Sequence, residues 1–186
     1  HLLSRRQRQM CIRDSETLID ITELTWHLRQ KLLERNLDHL TMIFEPGRSM
    51  VANAGVLLTT VQYIKRTPIK NFLIVDAAMS EMIRPALYDA WMPIIPIKVQ
   101  DHLNELTYDI VGPVCESSDW LGKERTLKTE PGQCLAMTVA GAYGMSMASN
   151  YNSRPLVAEV LVDRDHVHLI RHRQNIEDTW QQERML

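Results

Sequence analysis

The sequence has few cysteines and no cysteine pattern. Its 186 residues include three, Cys11, Cys115 and Cys134, an odd number without CxxC spacing. This count argues against a disulfide framework and against a zinc site. It favours a reducing cytoplasm, where thiols stay free.

An excess of one charge and a long apolar run are also missing. Lys and Arg total 21 against 23 Asp and Glu, so electrostatics gives no reason to expect nucleic acid or a membrane as a partner. No apolar run approaches the roughly 20 residues of a membrane span. The N-terminus lacks the apolar core of a signal peptide, and we expect a soluble, unexported protein.

What is present fits a globular protein with one substantial core. Hydrophobic residues make up 45% of the chain and charged residues 24%, both close to the globular average. From Ser15 onward, apolar residues recur at steps of three and four, which predicts an amphipathic helix. These positions are Leu18, Ile21, Leu24, Leu28, Leu32 and Leu33.

The apolar run Leu40–Phe44 ends at a Glu-Pro-Gly turn, which predicts a buried strand that delivers a loop. A helix followed by a buried strand is typical of the last piece of a parallel α/β unit.

Beyond Arg48 the pattern predicts mainly strands separated by turns, which indicates an all-β barrel or sandwich. Met79–Trp91 does not alternate and is predicted to contain a short helix. The predicted strands are Val56–Ile64, Asn71–Val75, Ile94–Val99, Leu106–Val111, Cys134–Val139, Leu156–Val162 and Val167–Arg171.

Three motifs combine groups that bind anions. Glu45-Pro46-Gly47-Arg48 joins a rigid turn to a guanidinium, which can hold a phosphate or a carboxylate; the alternative is a strand-ending turn with a surface ion pair. Arg84 and Tyr88 stand at helical spacing and can clamp one ligand, or they are a packed amphipathic pair. Tyr143 lies between Gly141 and Gly144, where a ligand can approach closely, or it is a core aromatic residue.

The loop Gly112–Asp119 places Cys115 beside Glu116. The adjacent carboxylate disfavours a thiolate nucleophile, so we expect a neutral thiol that acts as a general acid. The alternative is an inert cysteine, which suits Cys134 in its apolar strand. His166 and His168 alternate on one strand face, and we assign no metal site to them.

Together these motifs make the chain similar to the diaminopimelate decarboxylases, a family of fold-type III pyridoxal-phosphate enzymes that make lysine. The similarity runs from about Ile21 to Arg173 and leaves residues 1–15 as a leader or scar without a counterpart. It implies that residues 16–50 are the last helix and strand of a (β/α)8 cofactor barrel. Residues 51–186 would then be the C-terminal β-barrel or sandwich domain, so the fold class is α+β, mostly β.

The resemblance implies a role for each motif. Cys115 would be catalytic and reprotonate the carbon that loses CO2. A homodimer with shared active sites would convert meso-2,6-diaminopimelate to L-lysine. The cofactor pyridoxal 5'-phosphate would contact Glu45, Gly47, Arg48 and Tyr143. The substrate would contact Arg48, Arg84, Tyr88, Glu116 and Tyr143.

Two expectations concern what the chain does alone. The Schiff-base lysine and the glycine-rich phosphate loop of the family have no counterpart here, so we expect the chain alone to be inactive. The alternative hypothesis is a catalytically inactive β-domain fragment or regulator that pairs with a related amino-acid decarboxylase.

Overall fold

The computed structural model describes residues 20–184, and its body is one curved β-sheet. Within this span, three α-helices lie outside that sheet: α1 (Ile21–Leu33), α2 (Arg48–Val51) and α3 (Arg84–Tyr88). The strands are β1 (Leu57–Arg66), β2 (Asn71–Val75), β3 (Ile94–Pro96), β4 (Leu106–Val111), β5 (Trp120–Leu127), β6 (Cys134–Met137), β7 (Glu159–Asp163) and β8 (His166–Arg171). Single 3-10 turns lie at Ala52–Ala54, Met145–Met147, Tyr151–Ser153 and Ile176–Thr179.

Six strands form the main sheet in the order β3-β6-β1-β2-β4-β5. Neighbours are antiparallel except β2 and β4, which are parallel. The two edge strands approach each other, because a Cβ on Gly122 of β5 would lie 3.1 Å from the Ile94 Cδ1 of β3. The sheet is therefore nearly closed, which confirms the predicted mostly-β, barrel-like domain.

The core fills the inside of this sheet. Each of its six strands contributes at least one buried side chain. Full burial of each large side chain contributes about 1.5–3 kcal/mol. The largest fully buried apolar side chains are Tyr108, Leu73, Met82, Met92, Ile110, Leu121, Leu135, Met137, Val61 and Val75.

Beyond Arg48, each predicted strand corresponds to an observed one, and one observed strand was not predicted. Asn71–Val75 and Leu106–Val111 have the predicted limits, and the predicted helix within Met79–Trp91 is α3. Strand β5 was not predicted, because Gly122 and the three charged residues that follow it are not typical of a strand. The structure accommodates them with a positive φ of 54° at Glu124 and by placing the Arg125 guanidinium 4.2 Å from the Trp91 ring centroid.

The N-terminal part differs from the prediction in two places. Helix α1 is capped by Asp20, whose carboxylate accepts hydrogen bonds from the N–H groups of Thr22 (2.7 Å) and Glu23 (3.3 Å). The predicted start of this helix at Ser15 lies outside the described residues. The predicted buried strand Leu40–Phe44 is wrong: the segment is irregular and exposed, with Ile43 85% accessible. A strand needs a neighbour for its backbone hydrogen bonds, and no described strand pairs with this segment.

Strands β7 and β8 form a separate two-stranded hairpin. All of β8 is exposed, and His166 and His168 lie on it with ring centroids 6.2 Å apart, as predicted for a solvent-facing strand. No helix in the span 20–184 is long and apolar enough to cross a membrane.

Candidate active site

Two arginines approach one tyrosine ring. The Cζ atom of Arg48 lies 5.8 Å from the Tyr143 ring centroid, and the Cζ atom of Arg84 lies 5.9 Å from it. Arg84 is 3% exposed, whereas Tyr143 is 44% exposed. The three residues come from distant parts of the sequence, so the fold creates a positively charged site with an accessible phenol.

Local backbone geometry places the two arginines. Gly47 precedes α2 with a φ of +33°, a conformation that favours glycine. The turn is closed by the Met50 N–H donating to the Gly47 carbonyl at 3.2 Å. Arg84 begins α3 and is followed by Pro85, a residue suited to the first turn of a helix.

Gly55 and Gly141 lie in close contact, and this contact places Tyr143 near Arg48. The Ala140 N–H donates to the Gly55 carbonyl at 2.9 Å, and the Gly141 N–H donates to the Ala52 carbonyl at 3.0 Å. A Cβ on Gly141 would lie 2.0 Å from the Val51 carbonyl oxygen. Only glycine therefore lets the loop after β6 lie against the segment that follows α2.

The Cys115–Glu116 loop is closed at its base by the buried carboxylate of Asp119, which is 3% exposed. This carboxylate accepts hydrogen bonds from the N–H groups of Met79 and Val114, both at 2.7 Å. A Cβ on Gly112 would lie 2.4 Å from Asp119 Oδ2. The loop is thus preformed, and it presents Cys115 and Glu116 at its exposed tip.

A second loop contacts this tip. The Tyr151 hydroxyl donates to Glu116 Oε2 at 3.1 Å, and the Asn152 amide lies 4.0 Å from the Cys115 sulfur. The hydrogen bond to Glu116, followed by the negative charge of that carboxylate, raises the pKa of Tyr151. The phenol therefore remains a donor at neutral pH.

An ion pair between Arg154 and the buried Glu81 carboxylate anchors the second loop. Arg154 Nη2 lies 3.3 Å from Glu81 Oε1 and donates to the Asp76 carbonyl at 2.8 Å. The same Glu81 carboxylate accepts the Ala78 N–H at 2.7 Å, and Arg154 Nε donates to Ser80 Oγ at 3.1 Å. The loop is therefore fastened to residues 76–81.

Asp76 fixes the start of that segment. Its carboxylate accepts the Thr59 hydroxyl at 2.6 Å and the Thr60 N–H at 2.8 Å. Burial acts to raise the pKa of Asp76, but these hydrogen bonds outweigh burial and lower it. Because the folded state binds this proton less tightly than the unfolded state, the stabilisation is present above the unfolded pKa and is lost as the pH falls through the folded one.

The predicted site residues thus fall into two groups, and the segment 76–84 contacts both. Arg84 belongs to the group with Arg48 and Tyr143, whereas Met79 and Glu81 hold the loops that carry Cys115 and Tyr151. Glu45 is exposed, and Tyr88, at the end of α3, is 61% exposed.

The residues that hold the loops were not predicted from the sequence: Asp119, Arg154 and Glu81 were assigned no role. One signal was available: Glu81 stands among the apolar residues Met79, Met82 and Ile83, and a charge in such a run needs a buried partner.

Comparisons with known proteins identify the class. The family model for pyridoxal-dependent decarboxylases, C-terminal sheet domain, matches residues 12–141. The chain therefore belongs to the pyridoxal-dependent decarboxylase family.

Its relatives include diaminopimelate decarboxylases. The enzyme of Vibrio cholerae is 53% identical over 154 residues, which cover 83% of this chain and 36% of that protein. The enzyme of Pseudomonas aeruginosa is 50% identical over 159 residues, covering 86% of this chain and 37% of that protein. The chain thus spans little more than a third of these relatives.

Solved structures agree with the sequence relatives. The diaminopimelate decarboxylase of M. jannaschii superimposes with a TM-score of 0.86 at 37% identity, covering 94% of this chain and 40% of that one. The Helicobacter pylori enzyme complexed with L-lysine gives a TM-score of 0.77 at 43% identity, covering 91% of this chain and 41% of that one.

Proposed function

We propose that the chain is part of a diaminopimelate decarboxylase, which removes CO2 from meso-2,6-diaminopimelate and yields L-lysine. One observation carries the proposal: a preformed loop presents a thiol and a carboxylate side by side at its tip. The relatives named above support it. The alternative, an inactive regulator, is favoured by no described feature.

The residues present fit the anionic part of pyridoxal phosphate. The guanidinium Cζ atoms of Arg48 and Arg84 lie 5.8 Å and 5.9 Å from the Tyr143 ring centroid, and guanidinium and phenol donors suit a phosphate. Gly47, Arg48 and Tyr143 would hold it, with Glu45 nearby. When bound, this cofactor supplies the electron sink that stabilises the carbanion formed by loss of CO2.

The chain's own side chains would hold the substrate and deliver a proton. Arg48, Arg84, Tyr88 and Tyr143 would bind the carboxylate end of the amino acid, and Glu116 would bind the distal ammonium. The C–C bond to CO2 breaks, and its electron pair takes a proton from the Cys115 thiol to form a C–H bond. The sulfur then regains a proton from water.

We further infer that the active site is shared between two subunits. Cys115 and Glu116 lie at the exposed tip of their loop, where they can reach a second protomer. A thiol that donates a proton must stay unoxidised, and the reducing cytoplasm keeps thiols in that state.

The direct test uses the full-length enzyme that contains this chain. Supplied with meso-2,6-diaminopimelate, it should release CO2 and L-lysine in equal amounts, and kcat/KM for L-ornithine or L-arginine should be far lower. A preference for either of these two amino acids would contradict the proposal.

Replacing Arg84 by Lys should impair substrate handling. A lysine is a point charge and does not reproduce a bidentate grip on a carboxylate, so kcat/KM should fall by about one order of magnitude or more. Cofactor content, measured from the absorbance of the bound coenzyme, should stay unchanged. The control is Arg66→Lys on the exposed end of β1. Loss of cofactor with normal kinetics would show that Arg84 binds the cofactor instead.

A further inference from the structure

Tyr151 lies where two loops meet at their tips. Its hydroxyl donates to Glu116 Oε2 at 3.1 Å, and the next residue, Asn152, lies beside Cys115. Cys115 and Glu116, which we assign to the reaction, therefore each have a neighbour on the loop that carries Tyr151.

The position of this hydroxyl is fixed by the backbone that carries it. The Ser149 N–H donates to the Ser80 carbonyl at 3.0 Å, and the Asn150 amide donates to the Arg154 carbonyl at 2.8 Å. Arg154 in turn is held by Glu81. A tyrosine side chain adds only two torsions to this frame, so its oxygen has little freedom.

Electrostatics favours the hydrogen bond between the Tyr151 hydroxyl and the Glu116 carboxylate. A phenol is protonated at neutral pH, and the hydrogen bond to Glu116 and that group's charge raise the pKa of Tyr151 further. An ionised carboxylate offers about four lone-pair positions. A single phenol bond therefore leaves the carboxylate able to bind a cation as well.

We propose that Tyr151 is a positioning residue, which holds the Glu116 carboxylate in the orientation that binds the distal ammonium of the substrate. The proposal rests on the proposed function, because it assigns Glu116 to that ammonium. Both partners are exposed, so their hydrogen bond contributes little to folding. Its effect should appear in substrate binding.

The test is Tyr151→Phe in the full-length enzyme with meso-2,6-diaminopimelate. Loss of one hydrogen bond to a charged group predicts that KM rises about tenfold. We expect kcat to stay within about twofold, with cofactor content unchanged. The matched control is Tyr63→Phe, an exposed tyrosine on β1, which should leave KM unchanged. An unchanged KM in Tyr151→Phe would overturn the proposal.

A double-mutant cycle separates positioning from a structural role. In a Glu116→Gln background, Tyr151→Phe should add little, because the tyrosine acts through the carboxylate. A full, independent increase in KM in that background would overturn the proposal.

A second measurement does not depend on turnover. Glu116→Gln should lower the pKa of Tyr151, seen by ultraviolet absorbance of the phenolate as the difference from Tyr151→Phe. An unchanged pKa would overturn the pairing of Tyr151 with Glu116. If the pairing is seen but wild-type enzyme does not decarboxylate meso-2,6-diaminopimelate, the proposed function fails, and with it the substrate role of Tyr151.

Discussion

Replacing Cys115 by Ala in the full-length enzyme should lower kcat by about 10²–10⁴, the usual contribution of a general acid. KM and cofactor content should change little, because the residues assigned to hold the cofactor lie in the other group, around Tyr143. The loop itself should remain in place, since Asp119 closes it through backbone N–H groups.

The configuration of the product gives a readout specific to proton delivery. In D2O, wild-type enzyme should place one deuterium with a single configuration on the carbon that lost CO2, since one fixed thiol delivers it. In Cys115→Ala, water supplies the deuterium, and both configurations should appear.

The matched control is Cys134→Ala. Cys134 lies on β6, where its sulfur is 3.9 Å from the Leu135 carbonyl oxygen. This variant should keep both the rate and the single configuration. Equal losses in the two variants would mean that Cys115 is not the proton donor.

Of the substitutions proposed, Arg154→Met should lower the free energy of unfolding the most. It leaves the Glu81 carboxylate, whose side chain is 3% exposed, without its cationic partner, which costs about 3–5 kcal/mol. The Ala78 N–H still donates to Glu81, so we expect the lower end of that range. Denaturant titration measures the free energy of unfolding.

A second substitution checks that cause. Adding Glu81→Gln to Arg154→Met removes the buried charge and should recover part of the lost free energy. The control Arg173→Met, at an exposed position, should stay within about 0.5 kcal/mol of wild type. If Arg154→Met also does so, the ion pair does not anchor the loop.

The fold was largely predictable because strand patterns are local. Strands β2 and β4 are rich in apolar and β-branched residues and are bounded by turns, so their limits follow from the sequence alone. Strand β5 was not predicted because apolar and polar residues do not alternate at Gly122, Lys123 and Glu124. This segment forms a strand by pairing with β4. Leu40–Phe44 failed for the opposite reason: its apolar pattern is local, but a strand also needs a neighbour.

The candidate site was predictable only in part. The motifs around Arg48, Cys115 and Tyr143 were found, but their grouping depends on contacts between distant loops. The close approach of Gly55 and Gly141 and the hydrogen bonds of Asp119 carry no periodic signal. The residues that position the loops were therefore harder to find than the residues assigned to the chemistry.

Mixed dimers of the full-length enzyme test the central claim most directly. One protomer carries Cys115→Ala and the other lacks the cofactor-binding lysine, and each should be nearly inactive as a homodimer. If the site is shared, one of the two sites in a heterodimer contains both intact groups, so about half of a dimer's activity should return. Heterodimers that form without regaining activity would contradict a shared decarboxylase site.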